Sequence, residues 1–284
     1  MTLQWHDLDR VAPLSGLYTR AALRRKVTGK QLPDTGLRTW LAVDDQRLAA
    51  YRDVCGFGGG SLLPITYPHV MAFALQMQLL TDHDFPFPLL GLVHLSNRIQ
   101  VLRPLGGLSR VHASVHVENL RAHEKGATFS LVTRIEDALG LLWEEDSVML
   151  CKGVHLDGEP VTDVQAPTAP MIEQVRWYAG NDCGRKYAKV SGDYNPIHLS
   201  AASARLFGFP TAIAHGMFSK ARALAALREQ LPAANLQVQV EFRKPVRLPS
   251  EVVLWASTGG SSGQFELKGK GDLLHMEGQW SPVA

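Results

Sequence analysis

The stretch Tyr187–Met217, YAKVSGDYNPIHLSAASARLFGFPTAIAHGM, packs two acid/base candidates, a Gly-Asp turn, an Asn-Pro turn and a helix start into 31 residues. Asp193 and His198 lie five apart with Asn195-Pro196 between them. A residue before proline avoids the α region, so no continuous helix runs through this point. A bent loop can then aim both side chains at one spot. No other stretch of the chain combines so many of these features.

Working outward, Ala201–Phe207 is expected as a short helix with Ser200 as its N-cap. Ala214–Leu231 has a small, apolar face and is expected as a longer helix that begins at His215-Gly216-Met217. Strands are expected at Leu236–Arg243, Glu251–Ser257, Gly263–Lys268 and Leu273–Ser281. The same order occurs upstream. Thr66-Tyr67-Pro68 opens an apolar run to Leu80, which reads as a buried helix with proline in its first turn.

Strands at Gly91–Arg103, Leu108–Asn119, Ala127–Ala138 and Leu141–Cys151 follow, separated by turn residues. In the second of them Val111, Ala113, Val115 and Val117 alternate with Arg110, His112, Ser114, His116 and Glu118. The two sets lie on opposite faces, and His112 and His116, with His94, are read as surface or filling residues. The two halves share a sequence echo, Ile99–Leu105 against Val240–Val246, each leading into a strand.

The remaining segments are less patterned. Residues 1–35 read as a strand or two and a connecting arm, and Val43–Cys55 as a short helix favoured by Asp44 or Asp45 in its first turn. Gly56–Gly60 raises the question of a dinucleotide fingerprint. Its spacing is not G-x-G-x-x-G and no hydrophobic strand enters it, so it reads as a loop. Residues 157–172 hold three prolines and little periodicity, which suggests a linker. The expected division is 1–156, linker 157–172, and 173–284 with the chemistry.

Tyr187, Ser191-Gly192-Asp193, Asn195-Pro196-Ile197-His198, Ala204 and Ala214-His215-Gly216-Met217 together resemble the signature of the MaoC-like dehydratases, the (R)-specific enoyl-CoA hydratases. One departure is Ser200, where that family usually carries a carboxylate two residues after the histidine. The resemblance implies an α+β hot-dog fold, a long helix wrapped by a curved antiparallel sheet. With the internal repeat it implies a double hot dog. The first half lacks the SGDxNPxH motif and offers only Tyr51–Gly60 in its place, so one active site per chain is expected. The degenerate half would supply part of the acyl and pantetheine pocket.

The implied reaction is reversible hydration of trans-2-enoyl thioesters to (3R)-3-hydroxyacyl thioesters, in fatty-acid-type metabolism. It needs a group that holds water or hydroxyl at C3, a group that exchanges the C2 proton, and donors for the charge on the thioester oxygen. Asp193 and His198 can meet the first two needs: an ionised Asp accepts and a His can donate, so the pair can hold one water. Backbone N–H groups at a helix start can meet the third, and the resemblance implies that Gly216 supplies that contact. Asn195 and Ser191 are read as supports. His215 is read as packing at the helix cap or bonding a neighbouring carbonyl, more than as a reacting group.

Asp193, His198 and His215 are suitable metal ligand types, but no HxxxH spacing is present and the reaction needs none, so neither metal nor cofactor is expected. Coenzyme A or phosphopantetheine enters as part of the substrate. Arg243, Lys244 and Arg247 are either solvated edge residues or the group that meets the phosphates of coenzyme A or the acidic surface of a carrier protein.

The whole chain narrows the alternatives. Its 284 residues are 45% hydrophobic, enough for a sizeable core. A net charge of +2 without a basic run argues against nucleic acid. Acidic residues in the first ten positions do not match a signal peptide, and apolar runs such as Val70–Leu80 fall short of a membrane span. Cys55, Cys151 and Cys183 are odd in number and without a CxxC pair, which fits a reducing cytoplasm. The oligomeric state stays open, although double hot dogs commonly form a homodimer. Two rivals remain: a hot-dog thioesterase, and a non-catalytic acyl-thioester binding or scaffold protein.

Overall fold

A computed structural model describes residues 3–158 and 170–283. In chain order the elements are β1 (Gln4–Asp7), α1 (Leu14–Leu23), β2 (Thr35–Ala42), α2 (Asp45–Cys55), α3 (Tyr67–Leu80), β3 (Val93–Val101), β4 (Arg110–His123), β5 (Gly126–Asp137) and β6 (Gly140–Lys152). After the undescribed residues 159–169 come β7 (Met171–Ala179), α4 (Cys183–Ser191), α5 (Ala201–Arg205), α6 (Gly216–Ala226), β8 (Leu236–Phe242), β9 (Ser250–Ser257), β10 (Gly263–Lys268) and β11 (Leu274–Ser281). Most of the expected linker lies outside the described residues, and β7 starts within its last two positions.

The described residues form two hot-dog units, and the boundary between them falls inside α3 and β3. The first holds residues 3–43, 71–97 and 108–158; the second holds 44–70, 98–107 and 170–283. In the first unit the strand order is β1-β2-β4-β5-β6-β3, with β1 parallel to β2 and the β2–β4–β5–β6 pairs antiparallel. Helix α3 is itself apolar on nearly every side, as a largely buried helix requires. Its two glutamines are satisfied: Gln76 Nε2 donates to Thr133 Oγ1 at 2.8 Å and to Glu145 Oε2 at 3.2 Å, and Gln78 Oε1 accepts the Ala12 N–H at 2.8 Å.

In the second unit the strand order is β3-β8-β11-β10-β9-β7, antiparallel in every pair from β8 to β7. Leu236, Val238 and Val240 of β8 are fully buried, and so are Ala221 and Ala223 of α6. Small residues let α6 lie close to the sheet, where Lys220 Nζ donates to the Val238 carbonyl at 3.2 Å.

Three local expectations are met by capping chemistry. Asp44 caps α2 by accepting the Arg47 N–H, and Gly56 ends that helix in the left-handed region at φ 75°. Ser200 accepts the Ser203 N–H at 3.1 Å, so the departure from the family pattern keeps its cap. One expectation is corrected. The arm in residues 1–35 contains α1, which has Gly16 in its first turn and no side-chain cap; burial of Leu17 and Ala21 holds it. On β4 the filling reading holds for His116, which like Ser114 is only 6% exposed, with Trp5 edge-on to its ring.

Candidate active site

Three short elements deliver the signature residues. Helix α4 ends at Ser191, and Gly192 at φ 85° turns the chain out of it. Asp193 then starts a tight loop: its N–H donates to Ser191 Oγ at 3.1 Å, and its Oδ1 accepts the Asn195 N–H at 3.1 Å. Asn195 takes the extended conformation that the following proline imposes, φ −55° and ψ 124°, and a single 3₁₀ turn, Pro196–His198, follows. Asn195 Oδ1 accepts the Ile197 N–H at 3.4 Å and so caps that turn locally.

The 3₁₀ turn is clamped to the strand-like segment before α6. Ile213 N–H donates to the Ile197 carbonyl at 3.1 Å, and His198 Nδ1 bonds the Ile213 carbonyl at 2.8 Å. A carbonyl only accepts, so Nδ1 carries the proton and the Nε2 lone pair is the free end. His215, the N-cap residue of α6, directs Nε2–H to the Asp193 carbonyl at 3.0 Å, with the Asp193 Oδ2 at 3.7 Å. Its Nδ1 is buried without a partner among the described residues.

The two imidazoles stack with centroids 3.7 Å apart and planes 27° apart, and Tyr187 packs on the other side of His215 at 4.9 Å. One donor atom each from Asp193, His198 and His215 lies within 4.8 Å of the others. The three residues are therefore also a grouping able to hold a metal ion.

Burial keeps both rings neutral. It pushes His198 down to about 3, reinforced by the neighbouring His215 and opposed by Asp193, and it pushes His215 down to about 4. The expectation that the histidine donates to the water is therefore revised: neutral His198 accepts at Nε2. These shifts also set a pH dependence. An unfolded chain protonates both histidines below about pH 6.5 whereas the folded chain does not, so stability falls as the pH drops from there toward 3–4. At pH 5 each ring is expected to cost about 2 kcal/mol. Urea unfolding at pH 7 and pH 5 measures it, and the loss should vanish in a His198→Gln, His215→Gln variant.

Gly216 is the first residue of α6, where the N–H lacks an intrahelical acceptor. It is partly exposed, and a Cβ there would lie 2.9 Å from the Phe242 ring, so only glycine keeps this helix start open.

The basic cluster stands apart from this group. Arg243 is held in ion pairs with Glu241 and Glu277. Lys244 and Arg247 are exposed and, with Lys268 and Lys270, line a surface concavity of about 1010 Å³ that Asp193, His198 and Gly216 do not line. The backbone between them does touch the site segment: Ala214 N–H donates to the Val246 carbonyl at 2.9 Å.

Sequence reasoning missed two contributors. Gly184 of α4 faces the back of the 3₁₀ turn, where an added Cβ would come 1.9 Å from the His198 carbonyl oxygen. The Ile213 carbonyl, which fixes the His198 tautomer, is a backbone atom with no sequence signal.

Known proteins of similar sequence and fold place the chain in a family. Residues 159–277 match the family described as MaoC like domain. The chain is 36% identical over 246 residues to 3-hydroxyacyl-thioester dehydratase X of Mycobacterium tuberculosis, covering 86% of this chain and 84% of that one. A crystal structure of HtdX from the same organism superposes with a TM-score of 0.74 at 32% identity, covering 87% of this chain and 99% of that one. A MaoC-like dehydratase from Phytophthora capsici superposes at 0.75 with 19% identity, covering 89% and 96%, a likeness of fold alone.

Proposed function

The chain belongs to the MaoC-like dehydratase family, and from that premise we propose how its residues act. It is a hydro-lyase that interconverts 3-hydroxyacyl and 2-enoyl thioesters. The observation that carries the mechanism is the pairing of a neutral His198, with Nε2 free to accept, and the Asp193 carboxylate, their donor atoms within 4.8 Å.

Both groups accept protons in the resting enzyme. In hydration they accept hydrogen bonds from the two O–H groups of one water, leaving its oxygen lone pair directed at C3, and the hydrogen that faces Asp193 stays on the new hydroxyl. One proton passes to His198 Nε2 as the C3–O bond forms and is then delivered to C2. In dehydration His198 takes the C2 proton and returns it to the departing hydroxyl, so each turnover releases one water and leaves the enzyme unchanged. Asp193 orients the water and stabilises the imidazolium formed in between. The Gly216 N–H meets the charge that develops on the thioester oxygen, assisted by the positive end of α6. Asn195, Ser191 and His215 hold the pair in place.

The finer reading is an (R)-specific product, a substrate carried on coenzyme A or a carrier protein, no metal or separate cofactor, and a cytoplasmic, homodimeric enzyme. No described helix is long and apolar enough to cross a membrane. Lys244 and Arg247, which form no ion pair among the described residues, are the better placed of the three cations to meet phosphates.

The test is turnover of crotonyl-CoA and a longer trans-2-enoyl-CoA. Loss of the conjugated ultraviolet signal without thiol release, giving the (3R)-hydroxy product, is expected. Thiol release would make the protein a thioesterase. Silence on both, followed by binding but no turnover of acyl-carrier thioesters, would make it a binding protein.

A further inference from the structure

We infer that Arg47, on α2, is a positioning residue for Asp193; the inference rests on the hydratase reading of the site. The Val190 and Ser191 carbonyls have no intrahelical N–H donor, because the helix ends at Ser191. Arg47 supplies the donors from a helix more than a hundred positions earlier in the chain. Its Nε donates to the Val190 carbonyl at 2.7 Å and its Nη2 to the Ser191 carbonyl at 2.7 Å. The same Nη2 reaches the Val70 carbonyl of α3 at 3.2 Å.

One planar guanidinium thus joins three helices at the point where the chain leaves α4 for the catalytic loop. A cation at a helix C-terminus is also favoured by the helix dipole. The link to the chemistry passes through a single residue. Ser191 is held at its carbonyl by Arg47 and, by its hydroxyl, holds the Asp193 N–H at 3.1 Å.

Arg47 is itself fixed, since its own N–H is capped by Asp44 and its side chain is partly buried. On the far side the loop is held by His215 Nε2–H at the Asp193 carbonyl, 3.0 Å, so Arg47 and His215 anchor Asp193 from opposite ends of the turn, and its side chain is still 28% exposed. Without the fork, the end of α4 is free to fray and Asp193 to shift relative to His198. Lysine cannot replace it, because one ammonium does not span two successive carbonyls in fixed directions.

The experiment uses the full chain on crotonyl-CoA, far below the melting temperature of each variant. Arg47→Ala is expected to lower kcat roughly 10- to 100-fold, the size of effect that a small misplacement of a reacting group produces. KM should change little, since Arg47 does not touch substrate. Arg47→Lys should recover only part of kcat. Guanidinium ion at non-denaturing concentration should restore kcat of Arg47→Ala in a saturable way. Because the two residues act in one chain of contacts, Arg47→Lys with Ser191→Ala should lose less than the product of the single losses.

A folded Arg47→Ala or Arg47→Lys with wild-type kcat overturns the inference. So does guanidinium that raises the melting temperature without raising kcat. If Arg47→Ala does not fold, the same kcat comparison is made on Arg47→Lys, which keeps the stem and the charge. A wild type inactive on every enoyl thioester would instead sink the reading on which the inference rests.

Discussion

Asp193→Asn and His198→Ala are each expected to lower turnover of crotonyl-CoA by about 10²- to 10⁴-fold, the range contributed by a positioned acid or base. Asn keeps the Oδ1 that accepts the Asn195 N–H but can no longer serve as the charged second acceptor. The loop should therefore stay folded while the chemistry stops. His198→Ala removes the only group with both a free lone pair and a tautomer fixed by the Ile213 carbonyl. It also leaves that carbonyl and the stacked face of His215 without a partner, so a stability loss of about 1–3 kcal/mol is expected beside the loss of rate. Since both residues act on one water, the double variant should be little worse than the worse single one. A single variant that retains wild-type kcat in a folded protein would remove that residue from the mechanism.

The second large effect is expected at Gly184→Ala. Inside a helix, alanine is favoured over glycine by about 1 kcal/mol, so propensity alone predicts a more stable protein. Packing predicts the opposite. The new Cβ would lie 1.9 Å from the His198 carbonyl oxygen and 2.9 Å from its carbonyl carbon, both backbone atoms that cannot rotate away. Overpacking of this kind costs about 1–3 kcal/mol, which outweighs the propensity gain. Relief requires α4 and the 3₁₀ turn to separate, and His198 would move with the turn. A fall of about 100-fold in kcat is expected together with a lower melting temperature. Measured melting and turnover decide it. If Gly184→Ala melts higher and keeps its rate, the close approach of α4 does not position His198.

These predictions divide by what each residue depends on. The bend between Asp193 and His198 was readable because it follows from backbone sterics at Asn195-Pro196, a rule confined to two neighbours. The caps at Asp44 and Ser200 were readable for the same reason, since each bonds an N–H three residues ahead. Helix α1 was not readable. Its sequence, with Gly16 and Thr19, has no strong preference, and only the burial of Leu17 and Ala21 against the rest of its unit makes it a helix. On β4 the alternation reports polarity but not burial, and that His116 fills rather than faces solvent depends on Trp5 packing edge-on to it from another strand. Arg243 looked like an available cation until Glu241 and Glu277 were placed beside it.

By itself the sequence carried the family resemblance, and with it the expectation of a hot-dog fold and of Asp193 and His198 as the acid–base candidates, because turn chemistry and a long fixed motif are local properties. Tertiary structure alone decided how that pair is set. The proton on His198 is assigned by a carbonyl 15 positions away, and its neutrality by exclusion of water. The end of α4 is held by an arginine 143 positions away. Which carbonyl is left without a partner, and which ring is removed from solvent, follow from the packing of distant segments, and packing has no signature in any one of them.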